Sequence, residues 1–277
     1  MNMICRLLLT LALLGCPPCC FAADSATTAD AQAEHAAEAQ ELTTGEARKW
    51  EFHLEAGTPL ELQTNPVLRW SNPIVGEIYG NVFVWTAHGR PEMIGSIYKW
   101  YTPYTHMSVE FHSLARGPLT GKHAGQPAWF PAREGVEFKP VPEAPAPASS
   151  DAQRLRQMQS AAEGFSVEIA GRDRGDQVYQ LRLMPRPVYR YKSPDQDITD
   201  GAVFVFVNAT DPETWLIFET RRAGQELQWQ YALAQMNSVP MRAFHRGREI
   251  WTAPQVAPPW SNVVDRRAPY THFNNVR

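Results

Sequence analysis

From His106 to His112 apolar and polar residues alternate without a break, with Met107, Val109 and Phe111 on one side and His106, Ser108, Glu110 and His112 on the other. A period of two is the mark of a half-buried antiparallel strand. The alternation returns 122 residues later, where Trp229, Tyr231 and Leu233 take the apolar side and Gln228, Gln230, Ala232 and Ala234 the other. Short apolar runs at 82–86 and 203–207 are bounded by glycine and by the turn-rich stretches His88-Gly89-Arg90-Pro91 and Asn208 to Pro212. Those are hairpin signals, with returning strands expected over 93–100 and 214–221. One segment has helical period instead: over 151–164 Leu155, Met158 and Ala162 share a stripe behind Ser150 or Asp151 as N-cap,.

Laid side by side at an offset of 121, residues 60–92 and 181–213 share 12 identities over 33 positions. Chance would give about two, so the chain carries an internal duplication. Pro66-Val67-Leu68-Arg69-Trp70 falls on Pro187-Val188-Tyr189-Arg190-Tyr191, Gly80 on Gly201, and Pro91-Glu92 on Pro212-Glu213. After a one-residue shift Pro118, His123, Gly125 and Trp129 meet Pro240, His245, Gly247 and Trp251. Each copy alone would leave a sheet face uncovered. The expected fold is mainly β: two tandem antiparallel units packed together as a sandwich or barrel, with one short helix at about 151–164.

Composition divides the rest. Residues 7–14 form an apolar run too short to span a bilayer, which takes about 20 residues, and this reads as a signal-peptide core. Cleavage after Ala22 or Ala23 gives a signal peptide of residues 1–23. Lipoprotein processing at Leu13-Leu14-Gly15-Cys16 would instead remove 1–15 and leave Cys16 as a lipidation candidate. Residues 24–49 hold no Phe, Trp or Tyr after Ala23 until Trp50 and are expected to be a solvated, flexible tether,. Repeat 1 is placed at 50–137, a Pro/Ala linker at 138–150, the helix at 151–164 and repeat 2 at 165–277. All four cysteines, Cys5, Cys16, Cys19 and Cys20, precede the tether, so no disulfide is expected to brace the fold,. A net charge of −3 offers no basic footprint, which argues against nucleic-acid binding,.

The row His106, Ser108, Glu110, His112 is where chemistry is first sought, since alternate strand residues lie roughly 6–7 Å apart on one side. His106, Glu110 and His112 are candidate ligands for a divalent metal, Glu110 with His112 being the better pair. A polar, solvent-facing strand is the plainer expectation. Tyr98 and Trp100 share one strand face and with Ser108 form a candidate ligand-binding group. Arg69 and Arg190 beside their aromatics, and Glu92 and Glu213 in the hairpins, read as structural pairs, Arg69 with Glu92 and Arg190 with Glu213. His123 and His245 are expected to pack or cap. No Gly-x-Ser-x-Gly elbow, phosphate loop, His-Glu-x-x-His helix or Cys-x-x-Cys pair gives a positive signal for catalysis in the mature chain.

The segments Pro66 to Pro73, Gly80 to Trp85, Glu110-Phe111-His112-Ser113-Leu114, Asp200 to Phe204 and Tyr231 to Asn237 resemble an uncharacterised family of exported proteins seen in planctomycete-type bacteria. The resemblance covers the chain from about Trp50 onward and implies export; it carries over no activity, cofactor or catalytic residue. The expectation is an exported binding or structural protein, periplasmic, secreted or lipid-anchored at Cys16, without a membrane span. A small molecule, a glycan or an envelope protein is its expected partner. The alternatives are a metal-dependent hydrolase working from the His/Glu/His row and a carbohydrate-binding module.

Overall fold

A computed structural model describes residues 21–170, 177–256 and 265–274. Residues 1–20 of the signal segment, Cys16 among them, lie outside the described residues. Helix α1 (Phe21–Ala47) leads into β1 (Trp50–Leu54), β2 (Glu61–Leu62), β3 (Leu68–Ser71), β4 (Glu77–Ala87), β5 (Arg90–Thr102), β6 (Met107–Ser113), β7 (Leu119–His123), β8 (Gln126–Trp129) and β9 (Lys139–Pro140). Helix α2 (Asp151–Ala162) opens the second half. It is followed by β10 (Phe165–Ala170), β11 (Val178–Gln180), β12 (Arg182–Leu183), β13 (Tyr189–Ser193), β14 (Ile198–Asn208), β15 (Asp211–Ala223), β16 (Glu226–Gln235), β17 (Met241–His245), β18 (Arg248–Ala253) and β19 (Tyr270–Asn274). The fold is mainly β, as expected, and the duplication is visible in its registers.

Gly80 pairs with Tyr98 and Phe83 with Gly95; Gly201 pairs with Glu219 and Phe204 with Leu216, each 121 residues on. The one-residue shift falls in the β5–β6 connection, so Met93 opposite Ser113 becomes Thr214 opposite Gln235. The shared glycines have a steric reason. A Cβ on Gly80 would overlap the Trp70 indole, and one on Gly201 would lie 2.5 Å from the Tyr191 ring. In each half the aromatic of the Pro-Val-x-Arg-aromatic strand lies over the glycine that leads the apolar strand.

Each half builds a large sheet and a small one. The large sheets run β2-β4-β5-β6-β19 with β3 on β4, and β12-β14-β15-β16-β9 with β13 on β14; the small sheets are β1-β7-β8 and β11-β10-β17-β18. Alternation splits the large-sheet residues between two cores. Val82, Val84, Ile94, Val203, Val205, Val207, Trp215 and Ile217 meet between the large sheets in one cluster. Phe83, Trp85, Met93, Val109 and Phe111 face the small sheet of the first half, where Trp50, Phe52 and Trp129 join them. Phe204, Phe206, Phe218, Trp229 and Tyr231 do the same in the second half with Phe165, Val167 and Met241. The two large sheets thus form a sandwich whose outer faces are each covered by a smaller sheet and a helix.

Residues 24–49 are not a solvated tether: nearly all of them belong to α1, which packs on β4 and β5. Alanine, glutamate and glutamine propagate helix well, and small side chains let α1 approach the sheet. Ala39, Thr43, Glu46 and Ala47 are buried, and Asn81 Nδ2 donates to Thr43 Oγ1 at 2.9 Å. This helix is the counterpart of α2. The Lys49 carbonyl accepts from Ala124 N–H as the Gly164 carbonyl accepts from Arg246 N–H, both at 2.8 Å, and Trp50 pairs with His123 as Phe165 does with His245. In α2 itself Ser150 Oγ accepts from Gln153 N–H as the N-cap, and Met158 and Ala162 are buried,.

The linker and the C-terminus are exchanged between the halves. Lys139-Pro140, after repeat 1, pairs with β16 of repeat 2, whereas β19, after repeat 2, returns to pair with β6, Tyr270 opposite His112 and Asn274 opposite Ser108. Both central large-sheet edges are thereby covered.

Candidate functional site: two related ends of the sandwich

The halves face one another reciprocally, so the hairpin of each lies against β3 or β13 of the other. Ser71 N–H and the Thr210 hydroxyl are bonded at one end; at the other Gly89 approaches the Lys192 carbonyl and His88 Nδ1 lies 3.1 Å from Asp195. Residue 89 corresponds to 210, and 192 to 71. Such reciprocity, in which i meets j and j meets i, gives the molecule two related ends. They hold different chemistry.

The first end is filled. Arg90, 1% exposed, donates through Nε to Glu219 Oε1 at 2.7 Å and through Nη1 to Glu92 Oε2 at 2.5 Å and to the Leu114 carbonyl at 3.0 Å. The Tyr191 hydroxyl donates to Glu219 Oε1 at 2.7 Å, Gln196 Nε2 to Glu92 Oε1 at 3.0 Å, and Arg221 to Glu219 Oε2. Arg221 stacks over the Phe138 ring with Cζ 4.2 Å from its centroid. Burial pushes the Glu92 carboxyl up despite the Arg90 charge beside it. It also lowers the Arg116 and Arg221 guanidinium groups, which repel one another and Arg90. Tyr191 is held far above the usual phenol range by burial and the Glu219 charge. A buried ionic cluster of this kind fixes geometry more than it adds stability.

Among the described residues the second end is open. A cleft of about 440 Å³ is walled by Trp70, Tyr98 and Trp100 from the first half, and Glu110, Asp211, Glu213 and Asn237 set polar groups into it. Trp70 is fixed by its Nε1 donating to Ser96 Oγ at 3.0 Å, and its ring lies 5.4 Å from that of Tyr98. Asn72 Nδ2 donates to Asp211 Oδ2 at 3.1 Å, Asn237 Nδ2 donates to the buried Glu213, and the Tyr270 hydroxyl donates to Glu110 Oε1 at 2.8 Å. Ile74, Val75 and Tyr179, among the few large apolar side chains left exposed, line this cleft, and the exposed Tyr104 meets Trp100 edge-on at 5.4 Å. Flat aromatic walls, a small set of converging polar groups and an apolar rim are the usual make-up of a small-ligand site.

The polar row of β6 turns inward, not to solvent. Its apolar partners Val109 and Phe111 face the small sheet, so Ser108, Glu110 and His112 face the opposite large sheet. The structure does not assemble the candidate metal set of His106, Glu110 and His112. His106 stacks on Trp100 at 5.7 Å, and burial together with the Lys99 charge lowers its pKa. Glu110 lines the cleft. His112 lies with Nδ1 2.9 Å from the Gln235 carbonyl and Nε2 3.1 Å from the Gly135 carbonyl. Burial lowers its pKa to about 4. Among the described residues no group of three or more His, Cys, Asp or Glu is placed to hold a metal ion.

Of the candidate ligand group, Tyr98 and Trp100 line the cleft, while Ser108 is taken up by β19, donating to Asn274 Oδ1 at 3.1 Å. The pairs Arg69 with Glu92 and Arg190 with Glu213 do not form. On β3 and β13 the arginine faces away from its neighbouring inward aromatic, whereas the two glutamates point between the sheets. Arg190 instead makes a two-pronged bond to the buried Asp200, at 2.9 and 2.6 Å, which Arg154 of α2 also holds at 2.8 Å. Arg69 lines the groove beside α1. His123 Nε2 lies 2.7 Å from the buried Glu46 of α1, and His245 packs 4.7 Å from Phe165. Sequence reasoning missed Arg90, Glu219, Asp211, Asn237 and Trp70 as site residues. The signal was available: Arg90 and Asp211 occupy one position ahead of the shared Pro-Glu, with reversed charge.

In comparisons with known proteins no family model, no curated protein and no solved structure matches the chain.

Proposed function

We propose that the protein is an exported, non-catalytic binding protein that takes a small ligand in the cleft between its two halves. The observation that carries this is the difference between the repeat-related ends: one is filled by the chain's own side chains, and the other, among the described residues, is an aromatic and carboxylate-lined hollow with an apolar rim. Export rests on the apolar run at 7–14 and on the resemblance to exported proteins. Sugar recognition is a second reading, favoured by the flat faces of Tyr98 and Trp100 beside the acids and amides of the cleft; aromatic platforms with such acceptors suit sugar rings as well as flat cations.

Titration of intrinsic tryptophan fluorescence against a panel of sugars, amino acids and amines tests the reading. A saturable change is expected, lost in Trp100→Ala with the circular dichroism unchanged, because Trp100 is only half-buried. No binder in the panel, or a change that survives in Trp100→Ala, would overturn it, as would catalytic turnover of whichever compound binds.

A further inference from the structure

The junction between each helix and its small sheet is built alike in the two halves, except at one residue. In the first half Glu46, buried near the end of α1, accepts through Oε1 from Trp50 Nε1 at 3.1 Å, and the same oxygen lies 2.7 Å from His123 Nε2. Lys49 Nζ is 2.9 Å from its other oxygen. The offset of 115 that relates α1 to α2 puts Ala161 in the place of Glu46, Gly164 in that of Lys49 and Phe165 in that of Trp50, while His245 corresponds to His123. The second half keeps the histidine and lacks the carboxylate that it would face.

In the second half a cavity of about 180 Å³ lies at this junction, and Val141, Pro142, Pro145, Ala161, Trp229 and His245 line it. His245 is 8% exposed and has no hydrogen-bond partner among the described residues. Its Nε2, the nitrogen that in His123 meets Glu46, sits 3.0 Å from where a Cβ on Gly164 would stand. Burial, and after it the Arg246 charge, lowers the His245 pKa against the pull of Glu143. The ring is therefore neutral at neutral pH and has one N–H to give. Trp229 is 4% exposed, and its indole Nε1 is buried without a partner among the described residues. Unmatched donors buried on the wall of one cavity carry a free-energy cost that an arriving acceptor removes. Among the described lining residues the cation is Arg246, paired with the exposed Glu143.

We propose that this cavity binds a short aliphatic carboxylate, whose head group does for His245 and Trp229 what Glu46 does for His123 and Trp50. Its chain lies on Val141, Pro142 and Pro145, and Arg246 supplies the charge that Lys49 supplies in the first half. A volume of about 180 Å³ is below that of pockets for drug-sized ligands, roughly 300–1,000 Å³, so the chain is short,. The cavity shares no lining residue with the cleft between the halves, and the two sites stand or fall separately.

The test follows the indole N–H resonances of the full chain carrying isotope-labelled tryptophan, with the Trp229 signal assigned by its absence from Trp229→Phe. Propionate and butyrate are the probes, propionamide and butyramide their neutral isosteres, and butylamine the cation. At least one acid is expected to move the Trp229 signal saturably and to bind about tenfold or more tighter than its amide, the loss of one charge-assisted bond being of that size. Ala161→Glu supplies a carboxylate in cis and is expected to abolish binding and to move the Trp229 signal with no acid present. His245→Phe keeps a ring in place and is expected to weaken binding about tenfold with the circular dichroism unchanged. A Trp229 signal that no acid moves overturns the proposal. Equal binding of acid and amide, binding of butylamine alone, or undiminished binding by His245→Phe does so too. An acid that moves only the Trp70 and Trp100 signals lies in the cleft; that result overturns this site and leaves the cleft a ligand site.

Discussion

Replacing Arg90 by methionine keeps most of the buried volume and removes only the charge and its donors. The residue left behind worst is Glu219, fully buried and bonded through Oε1 to both Arg90 and Tyr191. Glu92, 3% exposed, keeps only Gln196 of its two close side-chain donors. Three hydrogen bonds from a charged group, roughly 1.5–3 kcal/mol each, set the ceiling of the loss. Protonation of the stranded Glu92 carboxyl brings it back to about 3–5 kcal/mol, the usual result of breaking a buried ion pair from one side. For a chain of this size about 4 kcal/mol lowers Tm by roughly 8–16 °C.

The dependence on pH makes the test specific. Burial holds Glu92 above its ordinary value of 4.5 even with Arg90 present; without the Arg90 charge, which lowers it, this carboxyl rises further in the folded state. A group whose folded pKa exceeds its unfolded one adds stability as pH falls from the folded value toward the unfolded one. The deficit of Arg90→Met should therefore be largest near pH 7.5 and shrink toward pH 5, by at most about 1.4 kcal/mol per pH unit for the Glu92 carboxyl. Urea denaturation of parent and variant at several pH values, followed by circular dichroism, measures this. A deficit below about 1 kcal/mol at pH 7.5, or one that grows on acidification, would refute the reasoning.

Other outcomes follow from the same structure. His112 is buried neutral, its folded pKa of about 4 lying below the ordinary 6.5. The parent should lose up to about 3 kcal/mol as pH falls from 6.5 toward 4, and His112→Gln should remove that step from the stability profile. Gly201→Ala places a Cβ 2.5 Å from the Tyr191 ring and should cost about 1–3 kcal/mol by overpacking in a thermal melt. Deleting residues 24–47 removes Glu46, whose Oε1 accepts from Trp50 Nε1 at 3.1 Å and lies 2.7 Å from His123; if those residues were only a tether the melt would not move, and a fall of several degrees is expected.

Much of the architecture could be read from residue order because identity and alternation are local signals. The 121-residue offset placed β3, β4 and β5 upon β13, β14 and β15, and the period-two pattern of β6 named which residues share a face. Which of its two faces lies inside was not readable. Ser108, Glu110 and His112 look like a solvated strand surface until a second sheet is laid against them. The equivalence of α1 and α2 was hidden for a different reason: they align at an offset of 115, where Ala39 stands for Arg154 and Thr43 for Met158, and small residues that pack closely leave no hydrophobic stripe. The cleft combines Trp70, Tyr98 and Trp100 of one half with Asp211, Glu213 and Asn237 of the other. Only the reciprocal docking of the halves brings them together.

The return of β19 to β6 sets the order in which the molecule can be finished. Tyr270 pairs with His112, and Asn274 with Ser108, so the edge of the first large sheet closes only after the whole of the second repeat has left the ribosome. Until then a partly folded chain presents β6 as an open template of unpaired backbone donors and acceptors, the sort of edge that captures stray strands. Pairings this distant in sequence also slow the final step. Synthesis that stalls or is truncated before Tyr270 would yield a protein with an adhesive flank along β6. β19 acts as a seal.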